Sequence, residues 1–591
     1  MGPLHRRFDA ASRSSWLSVV PIWLALGLCT AFAVLRAMDL DTRGSDYTRC
    51  QGCFFLPTLG HDAWLLSALA ALLAVAVLVR PRWFRMLLRV VAVLLLLAMG
   101  LDTALSLLLA QRLHITDLLR FSGDMGNNWS VATSGLLTQT GLPRLMLGLT
   151  CIATSIALCR PGMRKPRQGM ALLVIAVGWA GFAALNAGGL NYVHEELLRN
   201  LVENNLKSNR LVGYSTTFSK SARELSQSMP IACESGPAHK PDVIFLIVES
   251  LSSYQSKLLG GPEDWTPELD ALARQHHFLT NFHANGFTTS GGEIALLTGL
   301  PPFYPPGSLD ASFEHFKPKD ENLADVAHRN GYSASFFTSA DTTFLDIGTW
   351  LHELGFDTVE GNEAPFYQGM KRYAFGAAND GAFFDRYLQW LDQGGGGDRR
   401  NISVLMTVSG HPPFIDPGTG VPSEERTFRY VDAQIVRFQR ELAQRGFFDH
   451  GVLIVFGDHR SMTPLRPGEL QQFGERAFSR VPMIVVGDVM MPKVVDAAFQ
   501  QTDLLPSLRD LLGERVCTTP FQGLLLRPSP LPPQYIVHAR GDDRDRIDVY
   551  GSNSALWGFH TNGDSSRWMA EPPPNADQIA AWITARRADS E

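Results

Sequence analysis

The chain has 591 residues, of which 45% are hydrophobic, and a formal net charge of −6. This length allows several domains. The small negative net charge gives no indication that the protein binds nucleic acid. Seven cysteines are too few for a fold built on disulfides. The apolar residues concentrate in the first third of the chain, in runs long enough to cross a bilayer. The sequence therefore predicts a membrane protein with a more polar second part.

Five apolar runs predict a bundle of five transmembrane helices in a first domain, residues 1–191. The runs are 16–35, 63–79, 86–110, 145–159 and 169–190. The second and fourth are short for a hydrocarbon core of about 30 Å. Basic residues cluster before the first run, at 80–85 and at 160–167. Since cations mark the cytoplasmic side, we expect a cytoplasmic N-terminus and an extracytoplasmic position for everything after Tyr192.

Polar residues within and between these runs have two interpretations. Arg89 and Asp102 interrupt the third run. An acid at that depth indicates either a functional site or a polar contact between helices. Residues 117–130 predict an outward loop or an interfacial helix with aromatic anchors.

The second part begins after a juxtamembrane linker, residues 192–239, in which residues 193–203 predict a helix. Residues 243–248 form a continuous apolar run of strand length, as expected for a strand buried on both faces. Further strands are predicted at 333–338, 402–408, 452–456 and 483–486, and helices at 322–328, 382–391 and 425–444 and after Thr266. Strands that alternate with helices predict a mainly parallel sheet covered on both faces. Ligands in such sheets bind at the carboxyl ends of the strands.

The cysteines fall into two groups. Those in the apolar runs, at 29, 151 and 159, are interpreted as small core residues. Cys233 and Cys517 flank the soluble part, and an extracytoplasmic location would allow a disulfide between them. Cys50 and Cys53 suggest a local disulfide or, alternatively, half of a metal site.

Residues 282–300 place two threonines and a serine beside a Gly-Gly pair, directly before a short helix-compatible run. A hydroxyl near a helix N-terminus lies where free N–H groups favour an anion. The stretch thus suits a nucleophile that attacks a phosphate or sulfate ester. The same residue types are also typical of an ordinary helix cap.

Polar residues follow three of the predicted strands. Glu249 follows the first, His411 follows the strand at 402–408, and Asp458 and His459 follow the strand at 452–456. With Thr289 these give two carboxylates, two imidazoles and a hydroxyl at one sheet edge. Such oxygen and imidazole ligands suit Mn²⁺, Zn²⁺ or Mg²⁺, and a cation there would lower the pKa of the threonine hydroxyl. Each motif alone is also compatible with a turn, but their joint placement favours a site.

In this order the motifs resemble the lipoteichoic acid synthase and phosphoglycerol transferase branch of the alkaline phosphatase/sulfatase superfamily. They are residues 242–250, 266–270, 289–293 (Thr-Ser-Gly-Gly-Glu), 296–302, 407–414, 457–459 and 503–507. The resemblance covers about residues 240 to 513. It implies an α-helical five-span transmembrane bundle followed by an extracytoplasmic α/β alkaline-phosphatase-like domain, residues 240–591, with a central, mainly parallel sheet.

Carried over by position, the resemblance implies that Glu249, Thr289, Asp458 and His459 bind one divalent metal ion. Manganese is the first expectation, with magnesium or zinc as alternatives. Thr289 would also be the nucleophile, with Thr288 the less favoured alternative because the family motif places Ser directly after the nucleophile.

By its position in the motif, the same resemblance implies that His411 contacts the substrate phosphate. It implies that phosphatidylglycerol donates phosphoglycerol to the nucleophile, and that a hydroxyl of a glycan or polyglycerophosphate acceptor then takes it up. We expect a multi-pass protein of the plasma (inner) membrane with its catalytic domain facing the periplasm or cell surface. Lipoteichoic acid, periplasmic glucans and other surface glycans all stay open as acceptors.

The sequence departs from the family in one segment. The family's Phe-Trp-Asn-Arg corresponds to Phe-Leu-Asp-Ile at 344–347, which leaves the head group open. Lys371, Arg372 or Arg460 could supply the missing cation.

Three other functions fit the sequence less well. A phosphoethanolamine transferase is the enzymatic alternative, although its soluble domain usually carries several disulfides. A true sulfatase needs a Cys/Ser-x-Pro-x-Arg segment, which this sequence lacks. A non-catalytic membrane sensor or scaffold would be expected to lose the metal ligands, and all four are present.

Overall fold

The computed structural model describes most of the chain. The described residues are 20–48, 54–109, 112–115, 141–159, 166–187, 198–208, 212–236, 238–307, 313, 316, 321–395, 397, 399–412, 414–463, 465–487, 489–541, 543, 546–551, 555–569 and 571–590. The pair Cys50 and Cys53, the loop 117–130 and the first half of the predicted helix 193–203 lie outside them. The described residues up to 208 form one compact unit, and those from 212 onward form another.

The first unit is helical. Its helices are α1 (Val20–Thr48), α2 (Phe55–Leu78), α3 (Arg82–Leu109), α4 (Gly141–Leu158), α5 (Pro166–Asn186) and α6 (Leu201–Ser208). Four of the described helices, α1, α2, α3 and α5, are long and apolar enough to cross a bilayer. In α4 the described apolar stretch, Met146–Leu158, is shorter than such a span. The runs predicted at 63–79 and 16–35 are both longer in the structure.

Two buried ion pairs lie inside the helical unit. Arg36 donates from Nε to Asp62 Oδ2 over 2.9 Å and also bonds the backbone carbonyl of Leu198. Arg112 holds Asp102 with two hydrogen bonds, of 3.0 and 2.7 Å. Asp102 is therefore in a polar contact with the segment that follows its own helix, and not with another helix as the second interpretation expected. Buried charges of this kind are tolerated because each is paired.

The second unit is built on strands. They are β1 (Ala232–Ser235), β2 (Asp242–Val248), β3 (His277–His283), β4 (Tyr332–Thr338), β5 (Thr358–Glu360), β6 (Arg400–Met406), β7 (Gly451–Gly457), β8 (Arg480–Gly487), β9 (Val494–Val495), β10 (Phe499–Gln500), β11 (Arg515–Thr518), β12 (Tyr535–Ala539), β13 (Arg546–Gly551), β14 (Leu556–Asn562) and β15 (Ser565–Trp568). The central sheet has the order β10-β3-β8-β7-β2-β6-β4-β5, with β9 also paired to β3. Only β8 among these runs antiparallel to its neighbours β3 and β7. The predicted mainly parallel sheet is confirmed.

After Asp242, strand β2 is continuously apolar because both faces of the sheet are covered. Val243, Phe245 and Ile247 belong to one core cluster. The alternate residues of the strand belong to the cluster on the other face. Since successive side chains of a strand point to opposite faces, one strand supplies both cores.

The helices of this unit are α7 (Thr216–Gln227), α8 (Pro267–Gln275), α9 (Thr289–Thr298), α10 (Leu323–Arg329), α11 (Ile347–Glu353), α12 (Asp380–Asp392), α13 (Glu424–Gln444), α14 (Pro467–Phe473), α15 (Leu504–Leu511) and α16 (Ala576–Asp589). Of these, α9, α10, α11 and α15 contribute to the core on one face of the central sheet, and α8, α12 and α13 to the core on the other. The amphipathic helix predicted at 425–444 is α13, and its apolar face, which includes Phe428, Val431 and Ile435, is buried. The helix expected after Thr266 begins at Pro267, where proline is favoured because its missing N–H would be unpaired anyway.

The sequence patterns did not predict the C-terminal layer. Strands β12, β13, β14 and β15 form a separate antiparallel sheet. It shares a small core with α16, in which the ring of Trp582 stacks on Phe521 at 3.8 Å between centroids.

A disulfide joins the strand before β2 to the strand after α15, and so links the start and the end of the segment that forms the central sheet. Cys233 in β1 and Cys517 in β11 are bonded, and their strands pair antiparallel. The bridge closes a loop with a sequence separation of 284 residues. Because cross-linking restricts the unfolded chain, we expect it to stabilise the domain.

Replacing Cys233→Ser should therefore lower the free energy of unfolding of the second unit by about 2–4 kcal/mol. Urea denaturation followed by tryptophan fluorescence measures this change. Wild-type protein in reducing buffer should behave like the variant, whereas the variant should not respond to reductant. Equal stability of the oxidised wild type and the variant would contradict the prediction.

Candidate active site

Three neighbouring strands deliver polar side chains to one edge of the central sheet. β2 lies between β7 and β6 and runs parallel to both. Their carboxyl ends therefore meet, and Glu249, His411 and Asp458 follow them. Gly410 allows the loop after β6 to come close, because a Cβ there would lie 2.2 Å from the carbonyl oxygen of Glu249. The sheet thus assembles residues that are far apart in the sequence.

The two threonines at the start of α9 have different surroundings. Thr288 is the N-cap, and its hydroxyl accepts a hydrogen bond from the N–H of Gly291 over 3.1 Å. Thr289 is the first helical residue, and its Oγ1 donates to Glu249 Oε2 over 3.0 Å. The same oxygen lies 3.4 Å from His459 Nε2. The helix-cap interpretation therefore describes Thr288, while Thr289 faces the sheet edge.

Helix α9 reaches the sheet edge because of a glycine. A Cβ on Gly292 would lie 2.8 Å from the carbonyl oxygen of Asp458. A larger residue would push the helix, and Thr289 with it, away from the end of β7. The Gly-Gly pair in the sequence thus has a packing role at its second position.

Glu249, Asp458 and His459 can hold a metal ion. Each offers one ligand atom, and these atoms all lie within 4.8 Å of one another. Asp458 Oδ1 accepts the N–H groups of Ser250 and His459, each over 2.7 Å. Its other oxygen, Oδ2, is buried and has no hydrogen-bond partner among the residues that the structure describes. An unpartnered buried carboxylate oxygen is costly, and a bound cation would satisfy it.

His459 is oriented as a ligand. Its Nδ1 donates to the carbonyl of Arg460 over 2.9 Å. In the neutral ring this bond leaves the lone pair on Nε2, which lies 3.3 Å from Asp458 Oδ2 and 3.7 Å from Glu249. Metal-binding histidines typically have their second nitrogen fixed in this way. The residues present therefore fit a divalent cation.

The electrostatics of the metal-free site also favour a cation. Burial raises the pKa of Glu249, and the neighbouring charge of Asp458 raises it further. Burial raises the pKa of Asp458 to about 7. Burial lowers the pKa of His459. Both carboxylates are thus destabilised when ionised, and a divalent ion would reverse this effect.

His411 lies at the same edge, on a loop fixed by a buried acid. Asp380 Oδ1 accepts the N–H groups of Val408 and Ser409, both over 3.0 Å. The Nδ1 of His411 donates to the carbonyl of Pro412 over 2.6 Å. Burial lowers the pKa of His411, and the charge of Glu249 opposes this shift. The imidazole is therefore close enough to the carboxylates to respond to their charge.

An aromatic wall borders His411. The ring of Phe375 lies 4.6 Å from that of His411, and Phe344 lies 4.7 Å from Phe375. Leu345, Asp346 and Phe375 have φ angles of 54°, 56° and 55°, in the left-handed region. Such strain in side-chain-bearing residues is typical of ligand-contacting segments. The segment that departs from the family motif therefore lies beside the site.

The three candidate cations differ in their surroundings. Arg460 is buried and bonds Glu469 over 2.6 Å, so it is already neutralised. Arg372 donates to the backbone carbonyls of Asn362, Tyr367 and Gly376. It thus stabilises the loop that carries Phe375. Lys371 is exposed and lies 5.0 Å from the centre of the ring of Tyr373.

The structure adds Glu293, to which the sequence patterns gave no role. It lies one helical turn after Thr289 on α9 and is 3% exposed. Burial and the charges of Asp458 and Glu249 raise its pKa well above the ordinary value. The sequence could have indicated this position, because residues four apart, such as Thr289 and Glu293, lie on the same face of a helix. A further acid therefore lines the site.

Comparison with known proteins agrees with this geometry. Residues 241–514 match the Sulfatase family model. Lipoteichoic acid synthase 2 of Bacillus subtilis (strain 168) is 22% identical over 307 residues, 47% of this chain and 46% of that protein. Lipoteichoic acid synthase 1 of the same organism is 24% identical over 318 residues, with the same coverage of both chains. This chain thus spans about half the length of these relatives.

A solved structure, the lipoteichoic acid synthase LtaP from Listeria monocytogenes, aligns with 65% of this chain and 96% of its own at 15% identity and a TM-score of 0.45. Residues 241–514 are thus similar to the Sulfatase family. Within it, the chain is similar to lipoteichoic acid synthases. This similarity falls within the second unit, while the described helices long and apolar enough to cross a bilayer lie in the first.

The buried carboxyl of Asp458 predicts a pH dependence. Its pKa rises from 3.8 to about 7 on folding without metal, so the folded state binds more protons than the unfolded state in this range. The metal-free protein should therefore lose stability as the pH rises from 3.8 to about 7. Mn²⁺ binds the deprotonated carboxylate, so it should raise the melting temperature more at about pH 8 than at about pH 5.

Thermal melts of the full-length protein in detergent, with EDTA or with Mn²⁺, measure both effects. In the Asp458→Asn variant the metal-free pH dependence should be weaker, and Mn²⁺ should have little effect. A Mn²⁺ effect of equal size at both pH values in the wild type would contradict the prediction.

Proposed function

We propose that this protein transfers phosphoglycerol from phosphatidylglycerol to a hydroxyl of an envelope glycan or polyglycerophosphate. Thr289 would be the nucleophile, and Glu249, Thr289, Asp458 and His459 would hold one divalent ion, with Mn²⁺ the first expectation. One observation supports this proposal most directly: the Thr289 hydroxyl donates to Glu249, which belongs to the Glu249–Asp458–His459 cluster. The names of the similar lipoteichoic acid synthases support the substrate class.

In the first step, Thr289 Oγ1 attacks the phosphorus of the donor. Its hydrogen bond to Glu249 Oε2 provides a base that can accept the hydroxyl proton. The bond between phosphorus and the diacylglycerol oxygen breaks, and that oxygen takes up a proton as diacylglycerol leaves. Phosphoglycerol is then esterified to the threonine. Glu249, Asp458 and His459 would hold a divalent cation beside Thr289, where it would supply positive charge to the threonine oxygen and the phosphate.

In the second step, an acceptor hydroxyl attacks the same phosphorus. The acceptor oxygen forms the new ester bond, its proton is lost to a base, and Thr289 regains its hydroxyl proton. His411 contacts the phosphate in this proposal. Its Nδ1 is engaged by the carbonyl of Pro412, which leaves Nε2 as the atom available to the substrate.

The proposed organisation places this chemistry outside the cytoplasm. The chain would comprise a transmembrane domain (1–191), a juxtamembrane linker (192–239) and an extracytoplasmic catalytic domain (240–591), with the N-terminus in the cytoplasm. The Cys233–Cys517 disulfide supports this orientation, because disulfides persist mainly in oxidising compartments. Diacylglycerol would then be released within the membrane that anchors the enzyme.

Thr289→Ala should abolish transfer, because it removes the nucleophilic oxygen while leaving the helix intact. Release of diacylglycerol from radiolabelled phosphatidylglycerol measures the activity, and labelled phosphatidylethanolamine in parallel tests the other head group. The matched control is Thr288→Ala, which should lose about 1 kcal/mol of stability through its cap but keep transfer. Wild-type transfer by Thr289→Ala would rule out the proposed nucleophile.

His411→Ala should lower kcat by about 100-fold, since it removes a group that contacts the charge developing on the phosphate. Mn²⁺ affinity should stay unchanged, because this residue is not among the proposed ligands. Calorimetric titration with Mn²⁺ alongside the kinetic assay separates the two effects. Loss of Mn²⁺ binding in this variant would mean that His411 is instead a ligand.

A further inference from the structure

A buried glutamine connects the nucleophile segment to the metal-binding segment. Gln501 follows β10 and is completely buried. Its Nε2 donates to the backbone carbonyls of Gly457 and Asp458, over 3.0 and 2.6 Å. Its Oε1 accepts the backbone N–H of Asn285 over 3.0 Å. One amide group thus bonds the end of β7 on one side and the loop before Thr289 on the other.

Asn285 completes this connection. It is also fully buried, four residues before Thr289, and its Oδ1 accepts the N–H of Thr502 over 3.0 Å. Its Nδ2 donates to Gln500 Oε1 and to the carbonyl of Val537, both over 2.8 Å. The loop is therefore fixed by several hydrogen bonds that share no atom with the proposed metal ligands' side chains.

We propose that Gln501 is a positioning residue that sets the separation between Thr289 and the ligands Asp458 and His459. This inference rests on the proposed function, because it assigns Gln501 a role in that same site. The argument is geometric: the short loop from Asn285 to Thr289 is anchored by the amide oxygen, and the Gly457–Asp458 backbone is anchored by the amide nitrogen. Because a planar amide has a fixed span, movement of one segment relative to the other would break a buried hydrogen bond.

The neighbouring glutamine provides a natural comparison. Gln500 is equally buried, and it bonds the carbonyl of Phe521 over 2.7 Å and the N–H of Val537 over 2.9 Å. Its Oε1 also accepts from Asn285 Nδ2. Within the described part of the chain, none of its side-chain hydrogen bonds reaches Gly457 or Asp458. A residue that only holds the Asn285 loop and the C-terminal layer, without reaching the end of β7, should behave like Gln500. A residue that positions the site should, in addition, affect metal binding and turnover.

The test compares Gln501→Met with Gln500→Met in the full-length protein in detergent. Both substitutions keep the length of the side chain and remove its hydrogen bonds, so both should lower the melting temperature. Only Gln501→Met should weaken Mn²⁺ binding, by about 10-fold in calorimetric titration, as residues that support metal ligands typically do. It should also lower kcat for diacylglycerol release by about 10-fold and leave KM for phosphatidylglycerol nearly unchanged.

Equal Mn²⁺ affinity and equal kcat in the two variants would overturn the inference. If Gln501→Met does not fold, Gln501→Glu replaces it, because this side chain keeps an oxygen that accepts from Asn285 and has at most one O–H in place of the two amide N–H donors. The same losses are expected, and wild-type Mn²⁺ affinity in Gln501→Glu would equally overturn the inference. Failure of the proposed function has a different signature: wild-type protein that binds Mn²⁺ but releases no diacylglycerol.

Discussion

The site depends on two carboxylates that the fold buries side by side. Glu249 and Asp458 lie at the ends of adjacent strands, and burial raises the pKa of both. Their ionised forms are unfavourable without a nearby positive charge, and Asp458 Oδ2 has no hydrogen-bond partner among the described residues. A divalent cation resolves both costs. It would also explain why a hydroxyl, the weakest nucleophile of the cluster at neutral pH, is placed against Glu249.

The rest of the second unit can be understood as support for that arrangement. The parallel order β7-β2-β6 makes the carboxyl ends of three strands coincide, and two glycines let neighbouring backbones approach. Thr288 caps the helix so that Thr289 can face the cluster. The buried amide of Gln501 bonds both the loop before Thr289 and the end of β7. Left-handed backbone occurs on both sides of the cluster, at Ser250 directly after Glu249 and at Phe375 beside His411.

A feature could be predicted from the sequence when the residues that define it are adjacent in the chain. The strand at 242–248 and the acid after it are predictable, because an uninterrupted apolar run and the residue that follows it are adjacent in the chain. β3 was not predicted, because His277, Thr280 and His283 interrupt its apolar pattern. The role of Gln501 was not predictable either, since its hydrogen bonds join residues more than 40 and 200 positions away. Likewise, only the structure separates Thr288 from Thr289 by what each hydroxyl contacts.

The central claim is that phosphoglycerol becomes covalently attached to Thr289. The direct measurement is mass spectrometry of peptides from the full-length protein, quenched with acid after mixing with phosphatidylglycerol and Mn²⁺ in the absence of acceptor. The account predicts a peptide that contains Thr289 and carries the added mass of one phosphoglycerol group, and loss of that mass once acceptor is supplied. Diacylglycerol release with no modified peptide, or modification of a different residue, would contradict it.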